Sequence, residues 1–176
     1  ASYEAAYSAK ATEAWVVDAA TGKPIEGVIA VAHWELSAGA MKARSRLVQL
    51  KILETVTDKE GRLFFPAWGP ERNPSMIGYI EDNDPGIILF KSGYAPRFLQ
   101  NRLEARAGAL RQSDWSGKTI ALARPADNEQ RYLREFQVLN QEWRSIVEDK
   151  PDCNRKKIPR MLRAVYAERL AMVGKG

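Results

Sequence analysis

The sequence predicts a mainly β fold: an antiparallel β-sandwich of seven or eight short strands, followed by two C-terminal α-helices. Three observations carry this expectation. Short runs rich in Val, Ile, Leu, Phe and Trp recur between Trp15 and Leu122. Turn residues interrupt them roughly every ten residues, the spacing of linked antiparallel strands and not of βαβ units. After Pro125 the apolar period lengthens from two to about 3.6, which marks helices.

Residues 1–12 read as an arm leading into the first strand, either poorly ordered or docked, because Tyr3 and Tyr7 are its only large apolar groups. Ala14-Trp15-Val16-Val17-Asp18 is the first β-prone run, and Val28 to Trp34 is the second. Between them Gly22 permits positive φ and Pro24 fixes the exit from the turn. Leu36–Arg46 lacks a clear period and reads as a loop. Leu47–Thr57 resumes strand character, and Thr57-Asp58-Lys59-Glu60-Gly61-Arg62 is a turn into Leu63-Phe64-Phe65.

Met76–Ile80 and Gly86–Phe90 are further short strands, separated by the acidic turn Glu81-Asp82-Asn83-Asp84-Pro85. Phe98-Leu99 follows, then Gln100–Ser113 as a loop or one irregular helix, and Lys118–Ala123 as the last strand. Residues 13–124 thus form the β unit and residues 125–176 a helical extension. Asp127 and Gln130 make a capping-box start. Leu133, Phe136, Leu139, Trp143 and Ile146 or Val147 form the apolar stripe of a helix ending near Pro151. A second helix from about Ile158 repeats Met161, Leu162, Val165, Leu170 and Val173. Both are too short to stand alone, so their stripes pack on each other or on an open sheet face.

Three segments, taken in order, resemble the carboxypeptidase regulatory-like family, whose fold is a transthyretin-like, or prealbumin-like, β-sandwich. Val16 through Val28, with Asp18, Thr21-Gly22-Lys23-Pro24 and Gly27, is similar to the family's first two strands and their turn. Thr55 through Leu63 resembles its T-D-x-x-G-x-F hairpin, and Leu89 through Tyr94 its K-x-G-Y strand end. The likeness runs from about Glu13 to Ala123; Trp34–Arg46, Trp68–Ile80 and the helices depart from it. For location it implies the bacterial cell envelope, periplasmic or lipid-anchored; with so few catalytic groups, a non-catalytic module there is the expectation. Its partner is then another envelope protein.

The chemistry-bearing residues are few. The net charge of +5 over 176 residues is modest, and no nucleic-acid motif accompanies it. No run reaches the roughly 18 apolar residues of a membrane span. His33 is the only histidine, which excludes the His-rich zinc centre of the metallopeptidases that carry such a domain. Transthyretin-like hydroxyisourate hydrolases use several histidines and end in Tyr-Arg-Gly-Ser; here the end is Met172-Val173-Gly174-Lys175-Gly176. A soft metal site would need His33, Cys153 and Met161 to converge from distant segments. No catalytic, cofactor or metal residues are therefore assigned.

The expected partner-binding residues are Trp68 and Trp115, each beside turn residues, and the basic run Arg155, Lys156 and Lys157. The leading expectation is protein interaction. Sugar or small-ligand binding through the tryptophans is the alternative, and a hydrolase using carboxylates such as Glu81 and Asp84 is the third.

Overall fold

The computed structural model describes residues 2–102, 108–125 and 129–174. Eleven strands occur among them: β1 (Ala6–Ala9), β2 (Thr12–Asp18), β3 (Ile29–Ala38), β4 (Ser45–Val56), β5 (Arg62–Phe65), β6 (Trp68–Arg72), β7 (Tyr79–Ile80), β8 (Gly86–Phe90), β9 (Arg97–Leu99), β10 (Leu110–Arg111) and β11 (Thr119–Leu122). Three helices follow, α1 (Glu129–Val147), α2 (Pro151–Arg155) and α3 (Pro159–Val173). The sheet orders are β10-β1-β6, β11-β2-β5 and β4-β3-β8-β9, with β7 also paired to β3.

Most pairs are antiparallel, as expected, but β11 pairs with β2 and β10 with β1 in parallel. The strand count also exceeds the expected seven or eight. The extra strands come from segments with weak β signals. Residues 1–12 supply β1, which inserts between β10 and β6 and buries Tyr7 to 1% exposure. Leu36–Arg46 is not a loop: β3 continues to Ala38, a 3-10 turn spans Met41–Ala43, and Ser37 and Ala38 pair with Arg46 and Ser45. In Gln100–Ser113 the described part includes β10, while residues 103–107 lie outside the described residues. Of Met76–Ile80 only Tyr79 and Ile80 form a strand.

Side-chain alternation along β3 organises the interior. Ala30, Ala32, Trp34 and Leu36 point into a core shared with β1, β2, β5, β6, β8, β9 and β11. On the opposite face, Ile29 and Val31 join Ile88 and Phe90 of β8 and Ile52 of β4 beneath the helices. Both faces of β8 are covered, which is why Gly86–Phe90 reads as an unbroken apolar run instead of an alternating one.

The helical layer is held by its stripe. Phe136, Leu139, Trp143, Ile146 and Val147 of α1 and Met161 and Val165 of α3 are buried on that sheet face, each large side chain contributing roughly 1.5–3 kcal/mol relative to exposure. Leu133, Leu170 and Val173, counted in the same stripes from sequence, are exposed. The capping pair cannot be placed, since Asp127 lies outside the described residues. α1 stops at Val147, near Pro151 as expected, and Pro151 starts the one-turn helix α2, with buried Asn154 donating to the Ile146 carbonyl and to Asp149 Oδ1. At the start of α3, Ile158 offers no side-chain cap. Glu54 of β4 replaces it, its two oxygens each accepting a backbone N–H, from Arg160 and Met161, at 3.0 Å.

Candidate functional site

The face of β3 that is apolar under the helices turns polar further along: Ile29 and Val31 are followed at the same two-residue interval by His33, Glu35 and Ser37. There the C-terminal half of α1 stands over the sheet and leaves a cleft. One lobe, of about 200 Å³, is lined by His33, Glu35, Arg46, Glu81, Asp84 and Glu142, among others. A second, of about 250 Å³, shares His33, Gln100 and Glu142 and continues over Ile88 and Phe98. Arg46 closes one end by donating to the Ser145 carbonyl of α1 at 3.2 Å, and the Gln49 N–H donates to Asp149 Oδ2.

A chain of hydrogen bonds orients the histidine. Gln49 Nε2 donates to Glu35 Oε2 at 2.7 Å, so its Oε1 is the acceptor facing His33 Nδ1 at 3.2 Å. His33 then carries its proton on Nδ1 and keeps a bare lone pair on Nε2. Gly86, directly opposite His33 in the sheet, leaves room for the ring: a Cβ there would lie 2.5 Å from Nε2. Burial pushes the imidazole down to about 4, and it is neutral at physiological pH.

Asp84 is 7% exposed. Its Oδ2 accepts the Glu35 backbone N–H at 2.8 Å, while Oδ1 has no hydrogen-bond partner among the described residues. Loss of water pushes this carboxyl up to about 7, against the opposing pull of the Glu35 N–H. Glu35 is raised as well, again chiefly by burial, with Arg46 opposing. The acidic loop is fastened from below. Arg111, 1% exposed, donates through Nη2 to the carbonyls of Glu81 and Asp84, and Asn101 Nδ2 donates to the Asp84 carbonyl at 3.1 Å.

The residues expected from sequence fall in different places. Glu81 and Asp84 are in the cleft. Trp68 is buried in β6, edge-on to Trp34 with ring centroids 5.1 Å apart. Trp115 is half-buried; Arg97 and Lys118 lie against its ring and its Nε1 donates to the Gln100 carbonyl, so it backs the cleft wall. Arg155, Lys156 and Lys157 are exposed where α2 turns toward α3. His33, Cys153 and Met161 are not gathered: Met161 is fully buried under α3 and Cys153 is exposed. Among the described residues no group of three or more His, Cys, Asp or Glu could hold a metal ion. Glu35 was not anticipated, although the polar continuation His33-x-Glu35-x-Ser37 of an apolar strand face was the available signal.

No family model and no curated protein matches the chain. Among solved structures it is similar to a 9R-lipoxygenase from Cyanothece PCC8801 at 15% identity and a TM-score of 0.28. The match covers 71% of this chain and 18% of the lipoxygenase, and so weak a likeness bears on neither fold nor chemistry.

Proposed function

We infer that the chain is a non-catalytic interaction module of the cell envelope, a transthyretin-like sandwich whose helical layer docks a second protein. The observation that carries this is the outward face of α3. Tyr166, Leu170 and Val173 recur there at helical spacing, and Leu170 and Val173 are 74% and 72% exposed. Large apolar side chains grouped on one free helix face are a mark of an interface. Exposed Arg155, Lys156, Lys157, Arg160 and Arg163 flank the N-terminal end of the same helix. Together they suit a partner that presents an apolar strip with an acidic end. The envelope location is supported by the ordered turn motifs of residues 13–123.

A photo-crosslinking residue at Leu170, with a control at exposed Lys59, tests the reading in envelope fractions. The expected result is one protein joined at 170 and not at 59. Purified, that protein binds the wild-type chain and loses at least tenfold affinity both to the Leu170→Asp/Val173→Asp chain and to Lys156→Glu/Lys157→Glu. Equal crosslinking at 170 and 59, or binding indifferent to these substitutions, defeats the reading. A crosslinked pair of copies of this chain would make the face a self-interface instead.

A further inference from the structure

We propose that the β3–α1 cleft is a binding site for a primary alkylammonium group, such as a lysine side chain or a free aliphatic amine. This goes beyond the docking reading and does not rest on it. Charge is the first argument. Four carboxylates, Glu35, Glu81, Asp84 and Glu142, face the cleft together with Arg44 and Arg46. Both arginines are already taken, Arg46 by Glu35 at 3.1 Å and Arg44 by Glu81 at 3.2 Å. Glu142 therefore remains without an ion pair among the described residues, and Asp84 has only the charge of buried Arg111 behind it, on a chain whose net charge is +5. Such a local inversion of sign attracts a cation.

Hydrogen-bond polarity is the second, independent argument. The tautomer imposed by Gln49 leaves His33 Nε2 able only to accept, and it has no hydrogen-bond partner among the described residues. Asp84, more than nine-tenths buried, likewise turns an unused Oδ1 to the cleft. A fixed acceptor on His33, a second on Asp84 once that carboxyl is ionised above about pH 7, and the Glu142 carboxylate call for a ligand with several N–H donors, and an –NH₃⁺ group supplies three. An anion would meet the Glu142 carboxylate and the acceptors of His33 and Asp84, and a divalent metal would lack its ligand set among the described residues. The second lobe, running from His33 and Glu142 over Ile88 and Phe98, gives the alkyl stem an apolar wall. An N–H-bearing head on a short aliphatic chain fits both lobes.

The test uses n-butylamine and Nα-acetyl-lysinamide as probes, with 1-butanol and tetramethylammonium as controls for stem and charge. The readouts are the Glu35 backbone amide and the His33 imidazole nitrogens by NMR. Both amines are expected to give saturable shifts in the millimolar range, and neither control to do so. Asp84→Asn should weaken binding at least tenfold. Glu142→Gln, on the rim of α1 where folding is not at stake, should weaken it several-fold. The inference is overturned by the absence of a saturable amine response, by an equal response to 1-butanol or tetramethylammonium, by amine affinity indifferent to Glu142→Gln, or by a calcium response in place of the amine one.

Discussion

The backbone N–H of Glu35 donates to Asp84 Oδ2 at 2.8 Å, tying the middle of β3 to the acidic loop before β8. The same loop places Asp84 in a cleft with His33, and their titrations oppose each other. Asp84 titrates near 3.8 when unfolded and at about 7 when folded. From pH 3.8 to 7 the folded chain holds a proton that the unfolded chain has lost, so this group makes stability fall as pH rises. His33 titrates near 6.5 unfolded and at about 4 folded. From pH 4 to 6.5 the unfolded chain binds a proton that the folded chain excludes, so this group makes stability rise with pH. One proton balances the other, and their joint contribution is nearly flat between pH 4 and 6.5.

Removing either group exposes the other. Asp84→Asn should gain stability with rising pH between 4 and 6.5, and His33→Gln should lose it, each by up to ~1.4 kcal/mol per pH unit. The raised Glu35 remains in both variants, relieved of the Asp84 charge in the first, so the two slopes are compared by their difference and not by their absolute values. Denaturant unfolding across this range measures the two slopes; parallel profiles would rule the pairing out.

Arg111 is the structural support of that loop. Its guanidinium is buried and hydrogen-bonds to the main-chain carbonyls of Glu81 and Asp84; burial lowers its basicity, and the charges of Asp84 and Asp82 oppose that effect. Arg111→Met keeps the bulk and removes the donors, so the part-buried Glu81 carbonyl loses its Arg111 bond, the Asp84 carbonyl keeps only Asn101, and the carboxylates lose a counter-charge. The expected loss is about 3 kcal/mol. Hydrogen exchange of the Glu35 amide should also quicken, because its acceptor sits on the released loop. A stable variant with unchanged Glu35 protection would show that Arg111 is not the anchor.

What was legible in the sequence follows from what each signal reports. The run Gly86–Phe90 was read as a strand because burial on both faces leaves no polar residue in it. The α1 stripe was legible because its period matches the sheet face it covers. Periodicity cannot say which apolar position finds a neighbour, so Leu170 and Val173 were counted with Met161 although only the last is buried. β1 was missed because apart from Tyr7 its side chains are small, and its pairing comes from distant β6 and β10. Turn chemistry pointed to the acidic loop and hence to Glu81 and Asp84. Nothing local indicated that β3 would bring Glu35 beside them, since that contact spans 49 residues.

The turn motifs also conceal long-range bonds. Tyr94, the last residue of the Lys-x-Gly-Tyr segment, donates its hydroxyl to Asp18 Oδ2 at 2.7 Å, while Asp18 Oδ1 accepts from the Ala20 and Thr21 amides. The Tyr94 hydroxyl first, then the Thr21 amide, hold the Asp18 carboxyl below its ordinary value. Such a group adds stability that is present above the unfolded value of 3.8 and is lost as pH falls through the folded one. Tyr94→Phe should therefore raise the Asp18 titration toward 3.8 and lower the melting temperature at pH 7 more than at pH 3. Carboxyl NMR of Asp18 checks the first part, and an unmoved titration would refute it.

Two glycines separate a requirement of the fold from a requirement of the cleft. Gly61 has φ +72°, and a Cβ there would run into the Val16 carbonyl, backbone that cannot retreat without breaking the Val16 N–H bond to the Gly61 carbonyl at 2.8 Å. Gly61→Ala should cost on the order of 2–3 kcal/mol. At Gly86 the obstacle is only the end of the His33 ring, a side chain able to swing away. Gly86→Ala should therefore cost about 1 kcal/mol or less, but it should move the imidazole off Gln49 and into water. His33 is the only histidine, so its proton signals report the change without overlap. In Gly86→Ala its titration should climb from about 4 toward 6.5, and in Gly61→Ala it should stay low while the chain melts earlier. If the histidine titrates alike in both variants, Gly86 is not what seats the imidazole.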